Sequence, residues 1–246
     1  AGKVQGIVPA KPSTPILANV LVQAKGDTLT LQATDSTISV RASAKTPIEI
    51  EGAIALPARH LFQLLRELTT PSITLSCTDG VAILEAGESK FKLQSVDASL
   101  FPAFPELSSG PSLSMKGEDF RKILTKTAFA AAKDNSRPFL NGVMMKRAEN
   151  LATFTSTDGK RLARNQIEVQ QKVETPVESI LPLKAVEEII KMLDRDEDVT
   201  LSWIEKSLCI ESGATTLVTK LLSGQYPDVS RVIPERGSKP ISLHKE

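Results

Sequence analysis

The amino-acid sequence predicts an α+β protein built from two strand-rich units of similar plan in tandem. Short runs that alternate apolar and polar residues, rich in β-branched side chains, indicate strands. Three longer segments carry apolar residues at helical spacing and indicate amphipathic helices. The order of these segments in the first half of the chain recurs in the second half, which indicates a duplicated unit.

Composition fits a globular protein with a packed core. The chain has 246 residues, and 41% of them are hydrophobic. Lys+Arg 30 and Asp+Glu 29 nearly balance, so any contact with nucleic acid depends on local segregation of charge. Cys77 and Cys209 each lie in an apolar, strand-like run, which predicts two reduced, buried thiols rather than a disulfide scaffold.

No segment reaches the ~18 to 20 apolar residues that a membrane span needs, and no signal-peptide pattern is present. We therefore expect a soluble, cytoplasmic protein without membrane contact. The chain begins without Met and stops within a strand-like run, which suggests a fragment of a longer protein.

The first predicted unit covers residues 1–109. Its strands are expected at residues 17–24, 28–33, 37–42, 72–77, 81–86 and 90–95. Between the third and fourth strands, Pro57 opens a helix to residue 68, with leucines at helical spacing. The prolines of residues 101–106 disfavour both helix and central strand, and they close the unit.

The second predicted unit covers residues 110–234. A short strand at residues 112–116 precedes a helix at residues 118–132, whose first turn is acidic. Strands follow at residues 140–146, 151–157 and 161–169, and Pro182 opens another helix that ends near residue 193. Residues 235–246 are expected to begin a third unit.

The two units align in detail. Residues 17–35 match residues 140–158 without a gap, which places Thr34-Asp35 on Thr157-Asp158. After this shared Thr-Asp pair the first unit has Ser-Thr-Ile-Ser and the second has Gly-Lys-Arg-Leu. The second sequence predicts a hairpin turn over residues 151–164, and this turn is either a contact surface or an ordinary hairpin with solvated charges. The difference between the repeats favours a functional role for the second turn.

The predicted helices carry basic residues opposite their apolar stripes, at about 100° per residue. These residues are Arg59 and Arg66 in the first helix, Lys122, Lys126 and Lys133 in the second, and Lys184, Lys191 and Arg195 in the third. Any amphipathic helix turns polar residues outward, so a single ridge has no functional meaning. Three basic ridges in a nearly neutral protein instead favour contact with a phosphate backbone.

The sequence offers little for catalysis. His60 and His244 are its two histidines, and neither is placed for a nucleophilic triad. Glycine-rich nucleotide motifs and cysteine or histidine zinc motifs do not occur. The acidic residues at 194 and 196–198 lack calcium-loop spacing and favour a solvated loop. We expect a non-enzymatic protein without a metal ion or cofactor.

From residue 3 to about residue 239 the chain resembles the bacterial DNA polymerase III β subunit family, the sliding clamps. Five segments carry the resemblance, in the same order as in the family: residues 14–22 (TPILANVLV), 55–68 (ALPARHLFQLLREL), 137–145 (RPFLNGVMM), 156–163 (STDGKRLA) and 223–234 (SGQYPDVSRVIP). The resemblance implies three similar domains per subunit, with antiparallel sheets outside and helices lining an inner face. Two such subunits form a head-to-tail ring.

The resemblance implies a processivity factor that encircles double-stranded DNA without sequence preference. Its partners would be the DNA polymerase III α subunit, the clamp loader and other clamp-binding peptides. The implied DNA-facing residues are Lys11, Arg59, Arg66, Arg137, Phe139 and Lys184, and the helix-face argument adds Lys122, Lys126 and Lys191. The alternative is a clamp-like interaction scaffold that does not encircle DNA.

The resemblance also implies a partner-peptide groove between the second and third domains. Its second-domain side would comprise Leu140, Thr157, Gly159, Lys160, Arg161, Leu162 and Pro234. The chain departs from the family at Lys160, where some relatives have His, and at Pro138-Phe139, where relatives have two tyrosines. The resemblance implies that this sequence lacks the third domain beyond its first residues and most of the first helix, so we expect that this stretch alone does not close a ring.

Overall fold

The computed structural model describes residues 2–107, 110–134, 137–194 and 196–234, apart from the side chains of residues 170–175. Over this part of the chain, the helices are α1 (Gly2–Gln5), α2 (Ala58–Glu67), α3 (Gly117–Ala128) and α4 (Leu183–Met192). The first-unit strands are β1 (Asn19–Lys25), β2 (Thr28–Thr34), β3 (Ile38–Lys45), β4 (Gly52–Pro57), β5 (Thr74–Thr78), β6 (Val81–Ala86), β7 (Ser89–Gln94) and β8 (Val96–Asp97). The second-unit strands are β9 (Ser112–Lys116), β10 (Gly142–Thr157), β11 (Leu162–Pro182), β12 (Asp198–Ile204), β13 (Ser207–Ser212) and β14 (Thr215–Lys220).

A nine-stranded antiparallel sheet joins the two predicted units, in the strand order β8-β4-β1-β2-β3-β14-β13-β12-β9. The junction is the pairing of β3 with β14, in which Val40 lies opposite Leu217. The remaining strands form a β5-β6-β7 sheet and a long β10-β11 hairpin. The α+β class with antiparallel sheets is confirmed.

One face of the nine-stranded sheet is apolar across both units. Directly paired residues point to the same face of a sheet. A row of successive cross-strand partners, all fully buried, runs through Ala33, Val40, Leu217, Ile210, Leu201 and Leu113. This row belongs to one hydrophobic core that also contains the buried side chains of α2, α3 and α4.

The internal repeat is visible in the hydrogen bonding. In the first unit β4 pairs with β8, with Ala55 opposite Val96. In the second unit the end of β11 makes the corresponding bridge, between Ile180 and Leu222. The long strand β10 therefore corresponds to β1 and β2 of the first unit, and the long strand β11 corresponds to β3 and β4.

The structure corrects several sequence expectations. The helix predicted over residues 118–132 ends at Ala128. Beyond it, the N–H of Ala130 donates to the carbonyl of Thr127, and that of Ala132 donates to Leu140, so these alanines form buried turns despite their helix propensity. β11 continues to Pro182 rather than ending at residue 169.

The first unit also contains a strand that the sequence analysis did not predict and a cysteine whose predicted burial was wrong. β4 was not predicted; it is an interior strand between β1 and β8, and Pro57 ends it and caps α2. Cys77 was expected to be buried, but it is exposed because β5 is an edge strand whose side chains are largely solvent-accessible. Cys209 is buried as expected, and burial raises the pKa of its thiol to about 12. The predicted start of a third unit, residues 235–246, lies outside the described residues.

Candidate functional site

The basic residues predicted on α2 point away from the core. Leu61 and Phe62 are buried against the first-unit sheets, while Arg59 and Arg66 are exposed. Within the described part of the chain, no carboxylate lies within 4 Å of Arg59, and Arg66 Nε lies 3.7 Å from Glu67 Oε1. The outer face of α2 is therefore positively charged.

The same arrangement recurs on α3. Phe120, Ile123 and Leu124 are buried, and the ring of Phe120 packs edge-on against Phe154 of β10 at a centroid distance of 5.9 Å. Lys122 and Lys126 are exposed on the opposite side of the helix. Neither lysine has an ion-pair partner among the residues that the structure describes.

The lysines of α4 are also exposed, but carboxylates hold them. Lys191 Nζ donates a 2.7 Å hydrogen bond to Oε1 of Glu188, whose side chain is largely buried. Lys184 Nζ donates to Oδ2 of Asp35, which lies in the turn between β2 and β3 of the first unit. Arg195, predicted on the same ridge, lies outside the described residues.

The three helices cover one side of the molecule. Each of them buries its apolar stripe in the core that covers the apolar face of the nine-stranded sheet. Exposed basic side chains on these helices consequently project from the side opposite the sheet. Lys11 is also exposed, in the loop before β1.

The two Thr-Asp turns have the same hydrogen bonds. The Thr157 hydroxyl donates 2.7 Å to the carbonyl of Arg161 and accepts 3.0 Å from the N–H of Gly159. Oδ1 of Asp158 accepts from the N–H groups of Lys160 and Arg161 at 2.9 and 3.0 Å.

In the first unit Thr34 and Asp35 make the equivalent bonds. The Thr34 hydroxyl donates to Ile38 and accepts from Ser36, and Oδ1 of Asp35 accepts from Thr37 and Ile38. The alignment of the two repeats is thereby confirmed at the level of single atoms. Gly159 has φ +88°, and its counterpart Ser36 has φ +76°, a conformation that only glycine adopts without strain.

Arg161 extends from the second turn over an aromatic ring. Its Nε lies 3.0 Å from Oδ2 of Asp158, and its Cζ lies 5.9 Å from the ring centroid of Phe129. Phe129 follows α3 and is 57% exposed, so the guanidinium and the ring form an accessible rim beside the turn. Lys160 is exposed at the tip of the same turn.

An apolar cluster lies next to this turn. Leu140, Ile180 and Tyr226 are buried together, with Phe139 and Leu222 packed against them. The backbone N–H of Thr157 donates 3.0 Å to the Tyr226 hydroxyl, which connects the turn to the cluster. Burial raises the pKa of Tyr226 to about 12, although the hydrogen bond from Thr157 lowers it.

A cavity of about 310 Å³ borders the cluster, and its lining is both apolar and polar: Met144, Ile180, Leu222, Gly224 and Tyr226, together with Glu178, Ser179 and Gln225. Leu162, the first residue of β11, is half-buried.

The loop before Leu140 adjoins the turn and the cluster. A Cβ atom placed on Gly159 would lie 3.5 Å from Nη2 of Arg137. A Cβ atom placed on Gly224 would lie 3.1 Å from Cβ of Phe139. Arg137 and Phe139, which the sequence predicted on the DNA face, are thus neighbours of the predicted peptide groove.

The predicted groove residues are brought together with one exception. Thr157, Gly159, Lys160, Arg161 and Leu162 share the turn, and Leu140 joins it through Tyr226. Pro234 is exposed beside exposed Val232 and Ile233, with no described contact to the turn.

Sequence reasoning missed Tyr226 and Phe129 as site residues. Tyr226 is the only tyrosine of the chain and occupies the aromatic-Pro position of the repeat, opposite Phe104, and this was the available signal. Nothing in the sequence around Phe129 distinguished it from the apolar stripe of α3.

The described residues were also compared with what a metal site and a membrane-spanning helix require. In the described ranges no group of three or more His, Cys, Asp or Glu side chains is arranged to hold a metal ion. In the acidic loop, Asp194 pairs with Lys3 at 2.5 Å and Asp198 pairs with Lys116 at 2.7 Å. None of the helices described is long and apolar enough to span a membrane.

Comparison with protein families gives two matches that together cover most of the chain. Residues 1–105 match the model described as DNA polymerase III beta subunit, N-terminal domain. Residues 114–228 match the model described as DNA polymerase III beta subunit, central domain.

Curated relatives are similar along nearly the whole chain. The beta sliding clamp of Chlamydia pneumoniae is 37% identical over 245 residues, which cover 99% of this chain and 67% of that protein. The beta sliding clamp of Pseudomonas putida is 29% identical and covers 96% of this chain and 65% of its own length. The chain thus spans about two thirds of these relatives.

Solved structures agree with the sequence matches. The DNA polymerase III subunit beta of Pseudomonas aeruginosa superposes with a TM-score of 0.89 at 27% identity, over 96% of this chain and 65% of that chain. A sliding clamp from Bartonella birtlesii, in a structure bound to griselimycin, has a TM-score of 0.89 at 31% identity, over 95% of this chain and 64% of that one.

Proposed function

The chain belongs to the DNA polymerase III beta subunit family of sliding clamps, and from this membership we propose that it contributes two domains of a ring around duplex DNA. In the complete protein the ring tethers the replicative polymerase and other replication and repair proteins to DNA, and so confers processivity. Its role is non-catalytic and is carried out in the cytoplasm.

The observation that carries this proposal is that α2, α3 and α4 lie on the same side of the nine-stranded sheet. Arg59, Lys122 and Lys126 project from helices that cover a single face of one continuous sheet. Lysine and arginine contact phosphates without reading bases, and movement along DNA requires such contacts. We assign Lys11, Arg66, Lys184 and Lys191 to the same DNA-facing side.

The strand edges support assembly into a ring. β3 of the first unit pairs with β14 of the second, and by the repeat these strands correspond to the start of β11 and to β7. Both of these have a free edge within the described part of the chain. A third domain would pair with β11 in the same way, and a second subunit would pair with β7, which gives a head-to-tail homodimer in the full-length protein.

The turn at Thr157–Leu162 and the Leu140–Tyr226 cluster form one wall of a groove for client peptides. An apolar cavity with a few fixed polar groups is the usual form of such a site. Its clients include the DNA polymerase III α subunit and the clamp loader. Arg137 and Phe139 lie in the loop beside this wall, and we assign them to DNA contact.

A salt titration tests the DNA-facing assignment. Binding of the full-length subunit to a fluorescent duplex oligonucleotide is measured at several KCl concentrations, for the unmodified protein and for Lys122→Ala and Lys126→Ala. Each lysine that contacts a phosphate contributes about 0.9 to the slope of log K against log salt, so each variant should lower the slope by about that amount.

Lys206→Ala is the matched control, since Lys206 is exposed in the turn between β12 and β13, away from the helices. Equal slopes for all variants would contradict the assignment of α3 to the DNA-facing side.

A further inference from the structure

The ion pair between Lys184 and Asp35 joins the two units at the proposed DNA-facing side. Lys184 is the second residue of α4, and its side chain is 50% exposed. Asp35 belongs to the first unit, and its side chain is 8% exposed. Lys184, unlike Lys122 and Lys126, therefore has a largely buried counter-ion from the other unit.

The carboxylate of Asp35 is fixed by its turn. Oδ1 accepts hydrogen bonds from the N–H groups of Thr37 and Ile38, at 2.8 and 2.7 Å, and from the Thr37 hydroxyl at 2.7 Å. These bonds leave Oδ2 directed at Lys184.

The second unit uses the same oxygen differently. In the equivalent turn, Oδ2 of Asp158 binds Arg161 of its own turn. The contact between Asp35 and the neighbouring unit is thus a specific addition to a turn that both units share.

We propose that Asp35 is an intramolecular counter-ion that withholds Lys184 from DNA phosphates and so limits the affinity of α4 for the duplex. This inference rests on the proposed function of the helix face. A phosphate must displace a carboxylate that three donors of its own turn hold in place, and it leaves that carboxylate largely buried without its cation. A weaker hold by α4 favours movement along DNA over static binding.

The variant Asp35→Asn isolates the charge. Asparagine retains an oxygen that can accept the turn hydrogen bonds, but it no longer attracts the ammonium group. Asp158→Asn makes the same change in the equivalent turn without touching Lys184, and it is the matched control.

The first measurement is the rate at which an amine-acetylating reagent modifies Lys184 in the full-length subunit without DNA, followed by mass spectrometry with Lys122 as internal reference. In Asp35→Asn this rate should rise about two- to fivefold, the range that loss of a partly exposed ion pair gives. Asp158→Asn should leave it unchanged. An unchanged rate in Asp35→Asn would overturn the proposal.

The second measurement is the salt dependence of binding to the fluorescent duplex oligonucleotide. Asp35→Asn should bind more tightly and increase the slope of log K against log salt by about 0.9, because one more phosphate contact forms. The double variant Asp35→Asn/Lys184→Ala should return to the original slope. The proposal would be overturned if the slope did not increase in Asp35→Asn, or if the increased slope persisted in the double variant.

The two measurements separate this inference from the proposed function. If the unmodified subunit showed no salt-dependent association with duplex DNA, the proposed function would fail, and with it the effect on DNA. The acetylation rates would still decide whether Asp35 restrains Lys184.

Discussion

The backbone N–H of Thr157 donates a 3.0 Å hydrogen bond to the hydroxyl oxygen of Tyr226, 69 residues further along the chain. Both residues are buried, and Tyr226 packs on Leu140 and Ile180. This bond holds the second Thr-Asp turn against the segment that follows β14. The shape of the proposed groove wall therefore depends on a residue outside the hairpin that supplies most of it.

Tyr226→Phe should lower stability by about 1 to 3 kcal/mol, because it leaves the buried N–H of Thr157 without its acceptor. Urea denaturation followed by circular dichroism measures the change. Phenylalanine keeps the aromatic ring, so the change isolates the loss of the hydroxyl group. A Tyr226→Phe protein as stable as the unmodified one would show that the hydrogen bond contributes nothing to the turn.

Ser36→Gly should raise stability by about 0.5 to 1 kcal/mol, and Gly159→Ser should lower it by a similar amount. Both positions have positive φ in turns with the same hydrogen bonds, and glycine alone adopts this conformation without a steric cost. Thermal unfolding of the two variants provides the measurement. Changes of the same sign in both variants would be inconsistent with equivalent turns.

The contribution of Asp35 to stability should depend on pH. Burial would raise the pKa of Asp35, but the hydrogen bonds from Lys184, Ile38 and Thr37 outweigh burial and lower it. Because the folded-state pKa is the lower one, ionised Asp35 stabilises the fold above the unfolded-state value of about 3.9. This stabilisation is lost as the pH falls through the folded-state pKa.

The difference in unfolding free energy between the unmodified protein and Asp35→Asn should accordingly be largest near neutral pH and shrink below about pH 4. Urea denaturation at a series of pH values measures it. A difference that stays constant over this range would contradict the assigned ion pair.

Arg161→Ala and Leu162→Ala should weaken client binding in the full-length subunit while leaving folding intact. Arg161 is an exposed rim residue over Phe129, and Leu162 is half-buried beside the turn, so neither is central to the core. Titration with a clamp-binding peptide of the DNA polymerase III α subunit measures the effect, and Lys206→Ala is the control. Unaltered affinity in both variants would count against the groove.

The fold could be predicted from sequence where the signal is local. The alternation in β9 and the apolar stripes of α2 and α4 gave these elements to within a residue or two. The repeat predicted that Thr34 and Thr157 occupy equivalent turns, which their hydrogen bonds confirm. The pairing of β3 with β14 could not be predicted, because strand partners distant in sequence leave no local pattern.

In the candidate site, too, the residues that are close in sequence could be predicted and those that meet only through tertiary contacts could not. The turn residues Gly159 to Leu162 are adjacent in sequence and were found together. Tyr226, Phe129 and Asp35 act through contacts with distant residues, and their roles depend on tertiary packing. Helical periodicity correctly predicted that Lys184 and Lys191 are exposed on the outer side of α4. It could not predict that the largely buried carboxylate of Asp35 pairs with Lys184.

The proposed encirclement of duplex DNA by the full-length subunit is tested most directly by comparing how much protein stays bound to circular DNA and to linear DNA. Full-length protein is loaded by its clamp loader onto nicked circular DNA and separated from free protein by gel filtration, before and after the circle is cut once. A ring should remain on the circle and leave the linear molecule by sliding from its ends. Equal retention on both forms would contradict the claim and would favour a clamp-like scaffold that does not encircle DNA.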